Sequence, residues 1–432
     1  MTHPYSSCVL RGRLSKNTIH VKDYLVFVPL VPDLVPPKFD TLPHERQESG
    51  IYFYADQEAH FIPGYAGVAC ERLYAYRENK KPAFPPLFSN YGVQTFKDLV
   101  GDFSYVLLQE GQLLLAKDHL GIRPLFYYQD EEKFIASTSI SYIKSLIKPE
   151  FNLDYIANEI KFIPPAVEQT FYANIHRFPP AHYGYFNLHT KKLELKRYWE
   201  LEQESTAAFP RNEDKLEELR RRLTEAVVCR AGEITGSQFS GGLDSSAIAA
   251  LLARNIGTDR LHTYSFVLND TTRPYSNYGV DEQDTQNSVI NYAGLRRDHR
   301  HPIEEFHFKS LEEELDRTEE VMGGYAYANG IWQDSMFKAA ATHGVKVMMS
   351  GFPGDQGIST AGLRYYYDTL AEGKYFSFLK KNPIKNGKHI GKYFYCKWKK
   401  TTHPHLSPLV KERSLFKPHY RPSTAEVFYP FY

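Results

Sequence analysis

The apolar pattern of this chain changes near residue 205, and that change constrains the fold more than any other feature. Before it, short apolar runs are broken by tight-turn residues. Residues 24–28 (YLVFV) form such a run, stopped by Pro29 and by a proline-rich stretch ending at Pro36-Pro37. Residues 103–109 and 112–116 flank Glu110-Gly111 and predict a hairpin. Residues 125–128 and 133–137, around acidic Asp130-Glu131-Glu132, predict another strand pair. Strands joined this closely pair antiparallel, so residues 1–205 are expected to be sheet-rich. After the change, strand and helix alternate. Leu216, Leu219, Leu223 and Val227 share one face of a helix over 214–228. Strands are expected over 234–239, 261–268 and 345–349, with helices over 245–254 and 283–293. Such alternation implies a parallel sheet covered by helices in residues 206–432.

Composition narrows the function. With 52 basic and 51 acidic residues the formal net charge is +1, which gives no global pull toward nucleic acid or an anionic membrane. No apolar run reaches the ~20 residues of a membrane helix. Cys8, Cys70, Cys229 and Cys396 are far apart, with no Cys-x-x-Cys spacing, so a reduced, cytoplasmic setting is expected. The 17 histidines include no His-Glu-x-x-His, and His299 and His301 flank Arg300 in what reads as a polar loop. Between 373 and 421 eleven Lys and two Arg face a single acid, Glu412; a solvated basic face is the plain interpretation.

The most informative segment is Ser240-Gly241-Gly242-Leu243-Asp244-Ser245-Ser246, between a predicted strand and a predicted helix. Two glycines let the backbone turn tightly and approach a ligand. The helix start offers unpaired N–H groups and partial positive charge, suited to a phosphate or pyrophosphate. Ser245 and Ser246 add hydroxyls. Asp244 suits a phosphate only with a divalent cation between them. The segment lacks the Gly-Lys-Ser/Thr of a Walker A loop and the spacing of a dinucleotide fingerprint.

This segment resembles the pyrophosphate loop of the asparagine synthetase family, a branch of the ATP pyrophosphatases. Residues 117–128 (KDHLGIRPLFYY), preceded by Gly101-Asp102-Phe103, resemble that family's N-terminal glutaminase-type domain. Residues 350–356 (SGFPGDQ) resemble its second acidic motif, usually Ser-Gly-x-Gly-Gly-Asp-Glu. The resemblance covers roughly residues 50–432 and implies an αββα N-terminal domain over 1–205 and an adenylating α/β domain over 206–432. It implies ATP and Mg²⁺ as cofactors, with Asp244 and Asp355 as catalytic, Mg²⁺-binding residues. Ser240, Gly241, Gly242, Leu243, Asp244, Ser245, Ser246, Ser350 and Gly351 would bind ATP and pyrophosphate, and Val267 and Leu268 would line the adenine site. The implied reaction is adenylation of a carboxylate for attack by an amine.

Three departures shape the expected substrate. Glutamine-using members begin Met-Cys-Gly, whereas this chain begins Met1-Thr2-His3, so an inactive glutaminase-like domain is expected. The same loss marks relatives resembling β-lactam synthetases and lasso-peptide cyclases, whose substrate carries its own amine. A glutamine-independent cyclase acting on a small molecule or precursor peptide is therefore expected first. An asparagine synthetase comes next, then a non-catalytic nucleotide- or partner-binding remnant. Second, Phe352 stands where asparagine synthetases have Glu and β-lactam synthetases Tyr, and a phenyl ring moves no proton. Pro353 and Gln356 depart from the motif too. Third, the chain closes at Tyr432, before a segment that in the family carries a phosphate-contacting lysine. A shortened chain with slow turnover is expected from that, unless Lys397, Lys399, Lys400 or Lys411 substitutes.

Overall fold

The computed structural model describes residues 24–31, 34, 36–38, 42–55, 60–74, 83–160, 166–201, 212–267, 282–304, 328–352 and 354. Those up to Gly351 belong to one compact unit, and Phe352 and Gly354 to a second.

The first elements in chain order are β1 (Tyr24–Pro29), β2 (His44–Glu48), β3 (Ile51–Ala55), β4 (His60–Phe61) and β5 (Ala66–Leu73). Helices α1 (Phe84–Tyr91) and α2 (Thr95–Asp98) follow, then β6 (Gly101–Gln109), β7 (Gln112–Lys117), β8 (Phe126–Gln129) and β9 (Lys133–Ser137). Next come α3 (Ile140–Leu146), α4 (Leu153–Ile160), β10 (His176–Arg177), β11 (His182–Asn187) and β12 (Lys192–Arg197). The strands sort into two six-stranded sheets, ordered β10-β8-β9-β1-β3-β2 and β12-β11-β7-β6-β5-β4.

Side-chain alternation explains the stacking. Along β1, Tyr24, Val26 and Val28 enter the core between the sheets, while Leu25 and Phe27 enter a second core on the outer face. The run is apolar throughout because both of its faces are covered. Ile140, Ile143 and Tyr155 from α3 and α4 cover that outer face. Phe84, Phe88 and Phe96 from α1 and α2 cover the outer face of the other sheet, against Phe103, Tyr105 and Leu114. The four αββα layers expected from the resemblance are thus formed. The expected hairpin also forms: β6 and β7 pair Gln109 with Gln112, and Glu110 (φ 47°) and Gly111 (φ 75°) make the two-residue left-handed turn that suits strand twist.

Residues 117–123 leave β7 in a tight turn gathered on one carboxylate. The buried Asp118 carboxylate accepts N–H bonds from Phe103 (3.3 Å), Leu120 (3.1 Å), Ile122 (2.9 Å) and Arg123 (2.8 Å). Gly121 turns with φ +71°, and a Cβ there would meet Pro180 at 3.1 Å. This motif works as an organiser of the chain.

The later elements are α5 (Asn212–Val228), β13 (Thr235–Gln238), α6 (Leu243–Ile256), β14 (Leu261–Phe266), α7 (Gln283–Ala293), β15 (Arg300–Ile303), α8 (Ala328–Thr342) and β16 (Val347–Met349). The four strands run parallel in the order β15-β14-β13-β16. Val227, Leu252 and Ile290 from α5, α6 and α7 pack on one face, with Leu261 and Met349. Met336 and Ala340 from α8 pack on the other, with Tyr264 and Ile303. Helices therefore cover both faces, as parallel sheets require.

The helix expected over 214–228 forms as α5, and one other expectation needs correction. Leu223 and Val227 of α5 do pack, but the described residues leave Leu216 63% and Leu219 44% exposed, so the apolar face of α5 is covered only in its second half. Residues 300–303 are an edge strand and not a polar loop. Among the described residues it lies at the sheet edge, and backbone pairing to β14 specifies it: Arg300 and His301 give it a polar start, while Ile303 is buried under α8. Among the described residues no helix is long and apolar enough to cross a membrane.

Lys117 is 3% exposed and donates to the Phe178 carbonyl at 3.1 Å. Burial, reinforced by the Arg177 charge and opposed by Asp118, pulls its ammonium down to about 7. Unfolded, it titrates near ~10.4. Between those values the unfolded chain holds the extra proton, so this group makes stability rise with pH from about 7 and makes it weaker as pH falls back toward 7. Lys117→Met should flatten the rise between pH 7 and 9. Urea titrations should show the wild type gaining up to ~1.4 kcal/mol per pH unit relative to the variant. Parallel curves would show that Lys117 stays charged in the fold.

Candidate functional site

The strand order supplies the site. β13 comes first in sequence, β14 and β15 extend the sheet to one side, and β16 joins on the other. The order reverses between β13 and β16, and at such a switch point the loops leaving the strand ends diverge and open a crevice. Ser240–Ser246 leave β13 and Ser350-Gly351 leave β16, so the two motifs singled out in the sequence emerge side by side.

The loop is held by its own hydroxyls. Ser240 and Ser245 are joined Oγ to Oγ at 3.0 Å, and the Ser240 N–H donates to Ser245 Oγ at 3.3 Å. The Gly242 N–H donates to Ser240 Oγ (3.1 Å), and Ser245 Oγ donates back to the Gly242 carbonyl (3.2 Å). Gly241 turns with φ +89°, and a Cβ there would meet Gln286 at 3.1 Å. Gly242 is the N-cap of α6 and has no side chain to satisfy the helix's first N–H groups. The first intrahelical bond runs from the Ser246 N–H to the Gly242 carbonyl, so the amides of Leu243, Asp244 and Ser245 sit at the helix start, ahead of the helix's own bonding. Together they offer concentrated donor capacity and positive dipole, the chemistry that holds an oxyanion.

Three further features fit a polyphosphate. The hydroxyl of Ser246 is buried and, among the described residues, has no hydrogen-bond partner. Asp244 projects from the first turn of α6, half-buried, where its carboxylate suits a divalent cation. Gly351 lies so close to that turn that a Cβ would sit 2.6 Å from the Ser245 nitrogen and 3.0 Å from Asp244 Cβ. The structure thus brings Ser240, Gly241, Gly242, Leu243, Asp244, Ser245, Ser246 and Gly351 together, with Ser350 leading into Gly351. Val267 is buried just past β14, its N–H donating to the Ile303 carbonyl at 3.1 Å. Leu268 and Asp355 lie outside the described residues.

Gln286 was not visible as a site residue in the sequence. It is 1% exposed on α7, donates from Nε2 to the Ser240 carbonyl at 3.3 Å, and accepts from an Arg300 nitrogen at 2.9 Å. This bridge ties the loop to β15. The helical pattern over 283–293 was legible, but a glutamine on a mostly polar helix carries no mark of burial.

Gly351→Ala should loosen the first turn of α6, because the nearest atoms are backbone and cannot rotate away. The expected cost is ~1–3 kcal/mol in urea unfolding, with faster hydrogen exchange at the amides of Ser246 and the residues that follow it in α6, the first that the helix itself bonds. Wild-type exchange at those amides would show that the contact does not hold the loop.

Comparison with known proteins agrees with this arrangement. A glutamine amidotransferase domain model matches residues 86–199, and an asparagine synthase model matches residues 218–422. An amidase of Penicillium rubens, chyE, is 26% identical over 62% of this chain and 41% of its own length. An amidase of Gibberella zeae, chry2, is 24% identical over 80% of this chain and 52% of its own. A glutamine-hydrolyzing asparagine synthetase of Bacillus subtilis, number 2, is 28% identical over 43% of this chain and 26% of its own. The chain spans about half the length, or less, of these curated relatives. With an amidotransferase-type αββα domain ahead of an asparagine synthase domain whose loop and strand order are those just described, the chain belongs to the asparagine synthetase family.

Proposed function

We propose that this protein is an ATP-dependent, AMP-forming amide ligase that adenylates a carboxylate for attack by an amine borne on the substrate itself. The observation that carries this reading is the crevice between β13 and β16, where Gly351 packs on the helix start that presents the serine–glycine loop. Bound there, ATP with Mg²⁺ would supply an α-phosphorus open to the substrate carboxylate and a pyrophosphate leaving group. The amides of Leu243, Asp244 and Ser245 and the Ser246 hydroxyl would hold the pyrophosphate oxygens. Asp244, with Asp355 as the second proposed ligand, would hold the cation. The buried Val267 would sit beside the adenine, with Leu268. Fixing the phosphates before reaction lowers the barrier because the donors need no rearrangement as charge moves onto the leaving group.

The choice of amine rests on the N-terminal layers. Cys70 lies 1% exposed within β5, between the two sheets, a place from which a thiol does not reach glutamine. Phe352 has no proton to exchange. The buried thiol favours a substrate whose own amine attacks, closing a small molecule or peptide, over ammonia released from glutamine; with Phe352 in the motif that amine must arrive deprotonated or lose its proton to another group. The first domain then serves packing: Arg72 of β5 donates to the Arg230 carbonyl (3.2 Å), and the Arg230 guanidinium lies 4.8 Å from the Tyr74 ring, just before β13.

The test is ATP–pyrophosphate exchange with a panel of amine-bearing carboxylates. At least one should support exchange. Asp244→Asn should lower it at least a hundredfold with an unchanged circular dichroism spectrum, since Asp244 touches no core. Asp355→Asn should do the same, and the double variant should be little worse than either single one, because both act on one ion. Exchange that survives Asp244→Asn rejects the cation role, and no exchange with any carboxylate rejects the ligase.

A further inference from the structure

A second cluster of chemically able side chains lies away from the crevice. His262 on β14, His301 on β15 and His343, just after α8, place one ring nitrogen each within 4.8 Å of the others. His262 and Tyr264 alternate onto the α8 face of the sheet, and Tyr264 is in register with His301. α8 ends at Thr342 beside the starting ends of the strands, whereas the serine–glycine loop leaves their finishing ends and leads into α6 on the other face. The two sites therefore share no residue.

The cluster is built in the manner of a metal site. Two of the three rings stand on neighbouring paired strands, and the third is fixed by its backbone N–H donating to the Ala340 carbonyl at 3.1 Å. Rings mounted this way hold their directions better than rings on loops. His262 Nδ1 and His301 Nε2 already lie 2.9 Å apart, and the His301 and His343 rings stack at 3.9 Å. The Tyr264 hydroxyl is 3.0 Å from His343 Nδ1. If that nitrogen carries the proton, Nε2 is left as the ligand atom, the outer-shell arrangement usual for a metal-binding histidine. His299 supports His262 from behind, stacked at 4.1 Å with its own Nδ1 on the Leu261 carbonyl at 3.1 Å.

We propose that His262, His301 and His343 form a binding site for a late first-row divalent ion, Zn²⁺ above all, with Tyr264 orienting His343. Three imidazoles and a water satisfy the tetrahedral preference of Zn²⁺, whereas Mg²⁺ and Ca²⁺ require oxygen ligands. Zn–N bonds of about 2.0–2.1 Å place tetrahedral nitrogens roughly 3.3 Å apart. The nitrogens lie within about an ångström or two of that spacing, and the rings, now stacked within 24° of parallel, would turn out of the stack so that their in-plane lone pairs converge on the ion. The ion would tie the end of α8 to β14 and β15.

The experiment titrates the chelator-treated full-length chain with ZnCl₂ in the presence of 5 mM MgCl₂. One Zn²⁺ should bind per chain. His301→Ala and His343→Ala should each weaken it at least a hundredfold, and Tyr264→Phe about tenfold to a hundredfold. His189→Ala, an exposed hairpin histidine, should leave it unchanged. Because the histidines stand on or beside the sheet, X-ray absorption of the Zn²⁺-loaded wild type supplies a second reading that needs no variant. It should show three imidazole shells with Zn–N near 2.0 Å and no sulfur near 2.3 Å. The proposal is overturned if the wild type binds no stoichiometric Zn²⁺, if folded His301→Ala and His343→Ala chains keep wild-type affinity, or if sulfur occupies the first shell.

Discussion

The crevice depends on how closely Gly351 lies against the first turn of α6. The two chain segments there come from different strands and meet backbone to backbone, with Ser245 N and Asp244 Cβ inside the radius of any added methyl group. Hydrogen bonds within the serine–glycine loop set its curvature, and Gln286 ties it to β15. Neither of these relates the loop to β16. The bare Gly351 backbone does so, and so brings the two loops into contact. Close packing of backbone is stiff, which suits the proposed task of holding phosphates still.

Much of this was legible because the sequence signals were local. The strand over 24–28 is apolar at every position, and the two cores on either side of β1 account for that. Glu110-Gly111 specified a turn that only left-handed residues make, and the structure has that turn. The serine–glycine loop was readable as a strand-to-helix turn for the same reason: its seven residues together, placed between a strand and a helix, carry a local signal that two glycines alone do not.

What could not be read was non-local. β15 is specified by its register with β14, where Thr263 pairs with Arg300 and Phe266 with Ile303, and nothing within Arg300–Ile303 announces it. Leu216 and Leu219 obey the helical period yet stay exposed, because period tells which side is apolar and not how far along the helix the cover extends. Gln286 was hidden because burial of one polar residue depends on the two partners that satisfy it, Ser240 from a distant loop and Arg300 from an edge strand.

The order of the strands has a consequence for how the protein is made. β13, the central strand, appears early in its half of the chain and finds β14 soon afterwards, but its other edge waits for β16, where Thr235 meets Val347. During synthesis that edge is an open row of backbone donors and acceptors until α7, β15 and α8 have all emerged. The crevice is thus among the last parts of the sheet to exist. A nascent chain halted before Met349 would carry the serine–glycine loop on an unfinished sheet, open to pairing with a neighbouring chain.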